Sequence, residues 1–493
     1  MVRAVRDDEL RRTLFDSNPW WAAAAAERNA VEAVRGHRVM RDRARHDLGY
    51  RAGVLDDVAV GPIGDALVIV TGPRRVGKSV ALLDLAVLLC GRGDVDAFQV
   101  ICVPCDTMAA RDLRRTFTLG RDLTRTIDRD APRRRVWLLD EVSAIRDWTG
   151  VVKAARDGTD LGDDTVVITG SRWREGENVE RNLIAGRAGS SGTRRVRHLL
   201  PMTFRQFVTV ARPGLALPDP VHPADLQNPG LVSVLERCRF EIDLFDLAWQ
   251  EFLTCGGFPR AAAEHLRTGA VSEDFARDLA AWLRGDVDLD GPPESLPLLL
   301  GEIAERATSP LNIVHLAEAL GWTRAVTDTR LQRAVAGFGA LWCRAHNDQG
   351  RVVAGSQSKL YLIDPLLAWL PSQLRAGLAT PDMTALTEQA IGVALARSID
   401  YANEGRLVAG DTIGYIRTTS GNEIDLAPVS LPSAGGTRSS VPIESKWVGD
   451  RWRSEARVIE AKYRCGVVAT KSILDLEHPA WAIPAPLVAL LLG

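Results

Sequence analysis

Apolar and polar positions change their spacing several times along the chain. Residues 1–50 are Arg- and Ala-rich and keep a helical spacing, interrupted by "NPWW" from Asn18 to Trp21. At residue 66 the pattern changes. "ALVIV" is an unbroken apolar, β-branched run, followed by a Gly-rich turn and the apolar helix "SVALLDLAVLLC". "FQVICV" (98–103), "RVWLLDEV" (135–142) and "DTVVITGS" (164–171) are further buried strand candidates, with helical stretches between them. Continuous apolar strands alternating with helices predict a parallel sheet covered on both faces.

A Pro-rich break, "ARPGLALPDPVHPADLQNPG" (211–230), ends this region. Residues 231–300 read as helices around "TCGGFPR", Thr254 to Arg260. "NIVHLAEALGWTRAVTDTRLQRAVAGFGAL" (312–341) reads as helix, Gly-Trp turn, helix, and "RVVAGSQSKLYLID" (351–364) alternates like a strand pair. Helix–turn–helix followed by a hairpin suggests a winged helix. From about 382 the helix "MTALTEQAIGVALARSI" leads into the strands "IGYIRTT", "NEIDLAPVSL" and "SVPIESKW". The loop "PSAGGT" separates the last two. These shifts divide the chain into 1–50, 51–210, 211–300, 301–381 and 382–493.

The Gly-rich turn after the first strand is "GPRRVGKS", Gly72, Pro73, Arg74, Arg75, Val76, Gly77, Lys78 and Ser79, with Val80 continuing the helix. It fits G-x-x-x-x-G-K-S. Such a loop wraps phosphates in backbone N–H groups; Lys78 would reach the β- and γ-phosphates and Ser79 would bind Mg²⁺. Lys78 is expected to be an exposed phosphate ligand rather than a core residue. A phosphate loop needs a metal-side carboxylate at the end of a neighbouring strand. "VWLLDE" supplies Asp140 for Mg²⁺ through water and Glu141 to polarise the attacking water. Ser171 or Thr169, in "VITGS", could sense the γ-phosphate; either could equally be a simple strand-end hydroxyl.

Composition narrows the class. At 493 residues the chain has room for about three or four domains. Hydrophobic residues at 46% and charged residues at 25% describe a soluble globular protein. A net charge of −2 supplies no global field for nucleic acid, so such contact needs a local patch. The first twelve residues are charged and lack an apolar signal region, and no apolar run reaches membrane-spanning length. A cytoplasmic protein without membrane partners is the expectation. Seven cysteines in a long chain do not make a disulfide framework, and "CVPC" (Cys102–Cys105) reads as an ordinary strand end. Only six of the 61 basic residues are lysines: 78, 153, 359, 446, 462 and 471. Where Arg serves as the generic cation, a surviving Lys marks a position that needs a compact ammonium.

One of those lysines lies in "VPIESKW", Val441 to Trp447. Glu444-Ser445-Lys446 is an E-x-K triplet. Alone it is weak, because a surface strand carries such triplets by chance. A metal-dependent nuclease also needs a carboxylate on the preceding strand, and Asp425 in "GNEIDLAPV" supplies it. Glu444 and Lys446 share a strand face because side chains alternate. Asp425 and Glu444 would hold the metal, and Lys446 would offset charge on the scissile phosphate or the attacking hydroxide.

The succession "GPRRVGKS", "LLDEVSAIRDW", "VVITGS", "AGR" (185–187), "LLPMTFRQF" (199–207) and "CGGFPR" resembles the AAA-type ATPases that carry a C-terminal domain related to the PD-(D/E)xK nuclease superfamily. "NPWW" resembles one branch of that group. The resemblance spans nearly the whole chain. It implies an α/β protein: an N-terminal helical segment, a P-loop AAA-type ATPase domain, a helical lid, a winged-helix connector and a C-terminal restriction-endonuclease-like domain, in the five segments above. It implies ATP and Mg²⁺ as cofactors, with Mn²⁺ possible at the nuclease-like site. Arg187 would read the nucleotide, in cis or on a neighbour in a homo-oligomer. Glu388, in "LTEQAIG", falls on the helix where the superfamily places its extra acid. The departure from the usual pattern is a longer Gly/Ser-rich connection between the two acid-bearing strands. Trp148 is expected in the core, Pro201, Phe204 and Phe207 at a lid hinge, and Lys359, Tyr361 and Asp364 in structural roles.

The expected function is ATP-gated or ATP-driven nucleic-acid processing, on DNA or RNA, through the terminal metal site. Two alternatives stand beside it. One is an ATPase switch whose terminal domain binds without hydrolysing. The other is a DNA-binding regulator working through Arg324, Arg330 and Arg333 of the winged helix, a basic footprint weakened by Asp328.

Overall fold

The computed structural model describes residues 5–129, 131–158, 160–171, 195–287, 291–375, 377–402, 412–417, 421–433, 436–447 and 451–493. The chain forms two compact units, Met1–Leu200 and Pro201–Gly493.

Among the described residues the first unit is built on five strands: β1 (Ala66–Thr71), β2 (Val100–Pro104), β3 (Val136–Asp140), β4 (Thr165–Gly170) and β5 (Val196–His198). Their order is β2-β3-β4-β1-β5 and every pairing is parallel. All residues of β1 and β4 are buried, as continuous apolar runs require when helices cover both faces. The "FQ" that opens the second run forms a 3-10 turn, Ala97–Gln99, and β2 starts after it.

β2 is an edge strand, and "NPWW" covers it. The buried Asn18 side chain donates from Nδ2 to the Cys102 carbonyl (2.9 Å) and accepts from the Cys102 N–H (2.6 Å). It thereby imitates a neighbouring strand. Trp20 and Trp21, both fully buried, donate from their indole nitrogens to the Val100 carbonyl at 2.9 and 3.0 Å. An edge that would template pairing with another chain is satisfied by side chains instead.

The second unit begins with helices. Phe204 and Phe207 on the helix Phe204–Ala211 pack on Trp249 and Phe252 of Ile242–Cys255, with ring centroids 4.8–5.6 Å apart. Asp364 accepts from the N–H of Leu366, capping the helix Pro365–Leu374, and from the N–H of Gly257. Gly256 lies at φ +67, and a Cβ there would meet Asp364 Oδ1 at 1.9 Å. That close approach explains Gly256, and at Gly257 a Cβ would meet the Met202 carbonyl at 2.2 Å.

The helices Ile313–Leu320 and Arg324–Ala336 follow, then β6 (Ala340–Ala345) and β7 (Lys359–Leu362), antiparallel to each other. The hairpin was expected within 351–364; its first strand lies earlier, in "ALWCRA". The reason is long-range pairing. β6 also runs parallel to β8 (Ile413–Arg417), which pairs with β9 (Glu423–Ile424), so one sheet β7-β6-β8-β9 crosses the boundary expected at 381/382. The long connection before the E-x-K strand is itself a hairpin, β10 (Ser430–Ser433) and β11 (Gly436–Ser439). β12 (Ile443–Ser445), β13 (Gly466–Thr470) and β14 (Ala480–Pro484) form a second, parallel sheet. An isolated antiparallel bridge, Leu426 to Ile443, links the residues after β9 to β12.

All seven cysteines are free. Among the described residues no helix is long and apolar enough to cross a membrane.

Candidate functional site

The phosphate loop joins β1 to the helix Lys78–Cys90. Gly72 lies where the loop leaves the sheet. A Cβ there would sit 1.9 Å from the Leu199 carbonyl, so only glycine fits. Arg74 and Arg75 are exposed on the rim, Arg75 in the left-handed region, while Pro73 and Val76 turn inward and Gly77 and Val80 are half-buried. Lys78 departs from expectation. It is 6% exposed, because its Nζ folds back to donate to the carbonyls of Gly72 (3.0 Å) and Pro73 (2.9 Å). Glu141 Oε2 stands 4.0 Å from the same nitrogen.

Asp140 ends β3 and Glu141 follows it in the left-handed region, at φ 54. A non-glycine residue held there is strained. Burial raises the Asp140 pKa, and hydrogen bonds from Ser79 and Thr169 oppose that rise. Thr169 Oγ1 donates to Asp140 Oδ1 at 2.7 Å and accepts from the Glu141 N–H at 2.9 Å. Glu141 Oε1 accepts from the Ser171 N–H (2.9 Å), from the Ser171 hydroxyl and from Ser143 Oγ (3.3 Å). Of the two residues read as alternative phosphate sensors, Thr169 contacts both acids and Ser171 contacts Glu141. Ser79, in the first turn of the helix Lys78–Cys90, and Asp140, at the end of β3, are the two oxygen donors expected on Mg²⁺. That donor set fits a magnesium-bound triphosphate. Trp148 is fully buried. Arg187 lies outside the described residues.

The second candidate centre gathers every acid expected of it. Glu388 comes from the helix Met383–Ala402, Asp425 from just beyond β9 and Glu444 from β12; each is at most 5% exposed. Glu444 Oε2 accepts from the Asp425 N–H at 3.2 Å, and Asp425 Oδ2 accepts from the Ser445 N–H at 3.1 Å. Lys446 Nζ lies 3.0 Å from Glu444 Oε1, with its side chain 35% exposed.

The group at the middle is one to which sequence reasoning gave only a structural role. Lys359, the first residue of β7, is 0% exposed, and its Nζ stands 2.8 Å from Glu388 Oε1, Glu423 Oε1 and Asp425 Oδ1. Tyr361, two residues on and facing the same way, donates to Glu388 Oε1 at 2.8 Å. Glu423, also overlooked, meets Arg417 Nε at 3.1 Å through its other oxygen. Alternation was the available signal: Lys359 with Tyr361, and Glu423 with Asp425, are i, i+2 pairs on single strand faces.

Electrostatics follow from this crowding. Burial pushes the Glu388 carboxyl up to about 7 and Glu444 up to about 8, with Asp425 adding to both and lysine contacts opposing. Burial pulls the Lys359 ammonium down, but Asp425, Glu388 and Glu423 outweigh it and raise it above the ordinary lysine value. Two close carboxylates need a cation between them. Among Glu388, Glu423 and Asp425 that cation is the Lys359 ammonium, while Lys446 stands against Glu444. Among the described residues no group of three or more His, Cys, Asp or Glu side chains is placed to hold a metal ion. As arranged, the three carboxylate oxygens around Lys359 do not fit a divalent ion.

Residues 64–208 match the family model described as an AAA domain, so the chain carries an AAA-type P-loop domain. A comparison with curated proteins gave no match. Among solved structures, the chain is similar to the Walker-type ATPase PABY2304 of Pyrococcus abyssi, at 14% identity and TM-score 0.37, over 67% of this chain and 95% of that one. It is also similar to a variant of Thermotoga maritima RuvB, at 15% identity and TM-score 0.26, over 64% of this chain and 91% of that one. Similarity at this level speaks to neither the activity nor the partners of this chain.

Proposed function

We propose that this protein is an ATP-hydrolysing switch whose second unit ends in a nuclease-like α/β domain. The loop between β1 and its helix, with Lys78 Nζ 4.0 Å from Glu141 Oε2 and Thr169 bonded to both Asp140 and Glu141, carries this reading. Gly72 to Val80 would hold the triphosphate through backbone N–H groups, and Lys78 would leave its two carbonyls for the β- and γ-phosphates. Ser79 and Asp140 would hold Mg²⁺, whose charge neutralises the phosphate oxygens. Glu141, fixed by Ser171 and Ser143, would orient and polarise the attacking water. Phosphate release from ATP, measured with and without Mg²⁺, tests it. A folded protein that neither binds nor hydrolyses ATP would remove the assignment. Arg187 is proposed as the nucleotide-reading arginine, in cis or from a neighbour in a homo-oligomer.

Nucleic-acid processing by the terminal domain is the second reading. It is supported by the meeting of Glu388, Asp425, Glu444 and Lys446, and by their order on a helix and two successive acid-bearing strands. The assay is Mn²⁺-dependent cleavage of single- and double-stranded DNA and RNA, with and without ATP, by wild type and Asp425→Asn. Cleavage absent from every substrate leaves the domain as a binding module. Residues 301–381 read as a winged-helix connector, supported by the helices Ile313–Leu320 and Arg324–Ala336 and the antiparallel pair β6–β7 that follows them. Its basic face is thinned further because the Arg330 guanidinium lies over Trp322 at 3.7 Å, which weakens the DNA-binding-regulator reading.

A further inference from the structure

Lys359 donates to Glu388 Oε1 and Asp425 Oδ1 and pairs with Glu423 inside the acid cluster. An ammonium has three donors. Three carboxylate oxygens, from Glu388, Glu423 and Asp425, each stand 2.8 Å from Nζ. They come from a helix, from β9 and from the residue just after it, while the lysine comes from a different hairpin. The face of the Tyr415 ring lies 5.6 Å from the nitrogen. No part of the side chain reaches solvent. A helix, two hairpin strands and their flanks thus converge on one nitrogen atom.

We propose that Lys359 is the resident cation of this carboxylate cluster and that it excludes divalent metal from it. Two physical facts make the ammonium and a metal mutually exclusive. A small divalent ion draws carboxylate oxygens to about 2.1 Å, well inside the 2.8 Å that they keep around Nζ. A second cation beside a buried ammonium would meet strong repulsion at low effective dielectric. The site therefore takes one cation or the other. Lys446, at the rim on Glu444, is a separate charge and leaves this competition to Lys359. The inference goes beyond the ATPase reading, since it rests on the carboxylate geometry and needs no nucleotide.

Removing the ammonium should open a metal site. The experiment is titration of the full chain with MnCl₂, without nucleotide, followed by electron paramagnetic resonance of free Mn²⁺ and by thermal melting. Wild type, Lys359→Met and Lys359→Met/Asp425→Asn are compared. Lys359→Met should gain one Mn²⁺ per chain, bound about tenfold or more tighter than any uptake by wild type. Its melting temperature should fall without metal and recover with it. The double variant should lose both effects, which separates this centre from Mn²⁺ at Asp140. If Lys359→Met folds only in Mn²⁺, the proposal stands; if it stays unfolded at saturating Mn²⁺, metal does not replace the ammonium and the proposal falls. It falls equally if wild type binds Mn²⁺ as tightly as Lys359→Met in a manner that Asp425→Asn abolishes, or if a folded Lys359→Met gains none. None of these outcomes depends on ATP turnover, so the ATPase reading stands or falls separately.

Discussion

Two buried lysines sit at the centres of the two candidate sites, and they are held in opposite ways. Lys78 donates to two neutral carbonyls of its own loop, with one carboxylate at 4.0 Å. Lys359 is gripped by three carboxylates at 2.8 Å. A carbonyl is a weak competitor for an ammonium, so a triphosphate can take Lys78 from the loop. Three carboxylates are strong competitors for Lys359, and only another cation can displace it from them. The first arrangement stores a charge for a ligand. The second uses the charge to hold acids together.

The largest expected effect breaks the second arrangement. Lys359→Met leaves three carboxylates around an apolar tip. Removing one partner from a buried ionic network typically costs about 3–5 kcal/mol. Urea unfolding of the second unit, followed by Trp fluorescence in metal-free buffer, should show a loss of that order. A loss below about 1 kcal/mol would mean that the cluster is relieved by protonation or water and that the lysine is dispensable. Lys78→Ala is expected to act on turnover instead. ATP hydrolysis should fall by about 100- to 1,000-fold, as for removal of one preorganised electrostatic contact. The change in stability should be much smaller than for Lys359→Met, because the lost partners are two carbonyls that water can reach once the side chain is gone. Comparable stability losses for both variants would erase the contrast.

Glu141→Gln sharpens the comparison from the acid side. The hydrogen bonds from Ser171 and Ser143 converge on Oε1, and a Gln carbonyl oxygen can accept all of them. The side chain should keep its place while losing the carboxylate that polarises water. Turnover should drop about 100-fold or more with ATP still bound, read by phosphate release and by equilibrium binding of a fluorescent ATP analogue. Failure to bind ATP would mean that Asp140 and Glu141 have been assigned the wrong roles.

The strand, loop and helix of the candidate phosphate site were legible in the sequence because they are local. A strand, a loop and a helix follow one another over residues 66–90, and each leaves its own pattern. The burial of Lys78 was not legible, since the fold-back onto Gly72 and Pro73 is a rotamer choice that spacing does not encode. At the terminal centre the four acid and lysine positions were readable from strand alternation and resemblance. Lys359 was not recognised as their counterion. The pairing of β6 with β8 joins residues about 70 apart in sequence, and contacts of that range leave no periodic trace. The scarcity of lysine pointed to Lys359 as much as to Lys446; the argument was carried only to the residue with a motif around it. "NPWW" was visible as an interruption, but its task of satisfying the open edge of β2 needed the sheet order.

The smallest expected effect tests whether the phosphate site's acids are positioned by hydroxyls as the terminal acids are by an ammonium. Thr169 Oγ1 both donates to Asp140 Oδ1 and accepts from the Glu141 N–H, so one hydroxyl sets the orientation of two acids. Thr169→Val keeps the branched shape of a buried β4 residue and removes only that oxygen. Leaving a buried N–H without its acceptor costs about 1–3 kcal/mol, part of which relaxation or water recovers. Turnover should therefore fall by about tenfold, less than for Lys78→Ala or Glu141→Gln, with ATP affinity nearly unchanged. The Mg²⁺ dependence should also shift to higher concentration, because Asp140 loses one of the bonds that favour its ionised form. Magnesium titrations of phosphate release by wild type and Thr169→Val would show it. Unchanged turnover with an unchanged Mg²⁺ midpoint would make Thr169 an ordinary strand-end hydroxyl. The ordering of the two acids would then rest on Ser79 for Asp140 and on Ser171 and Ser143 for Glu141.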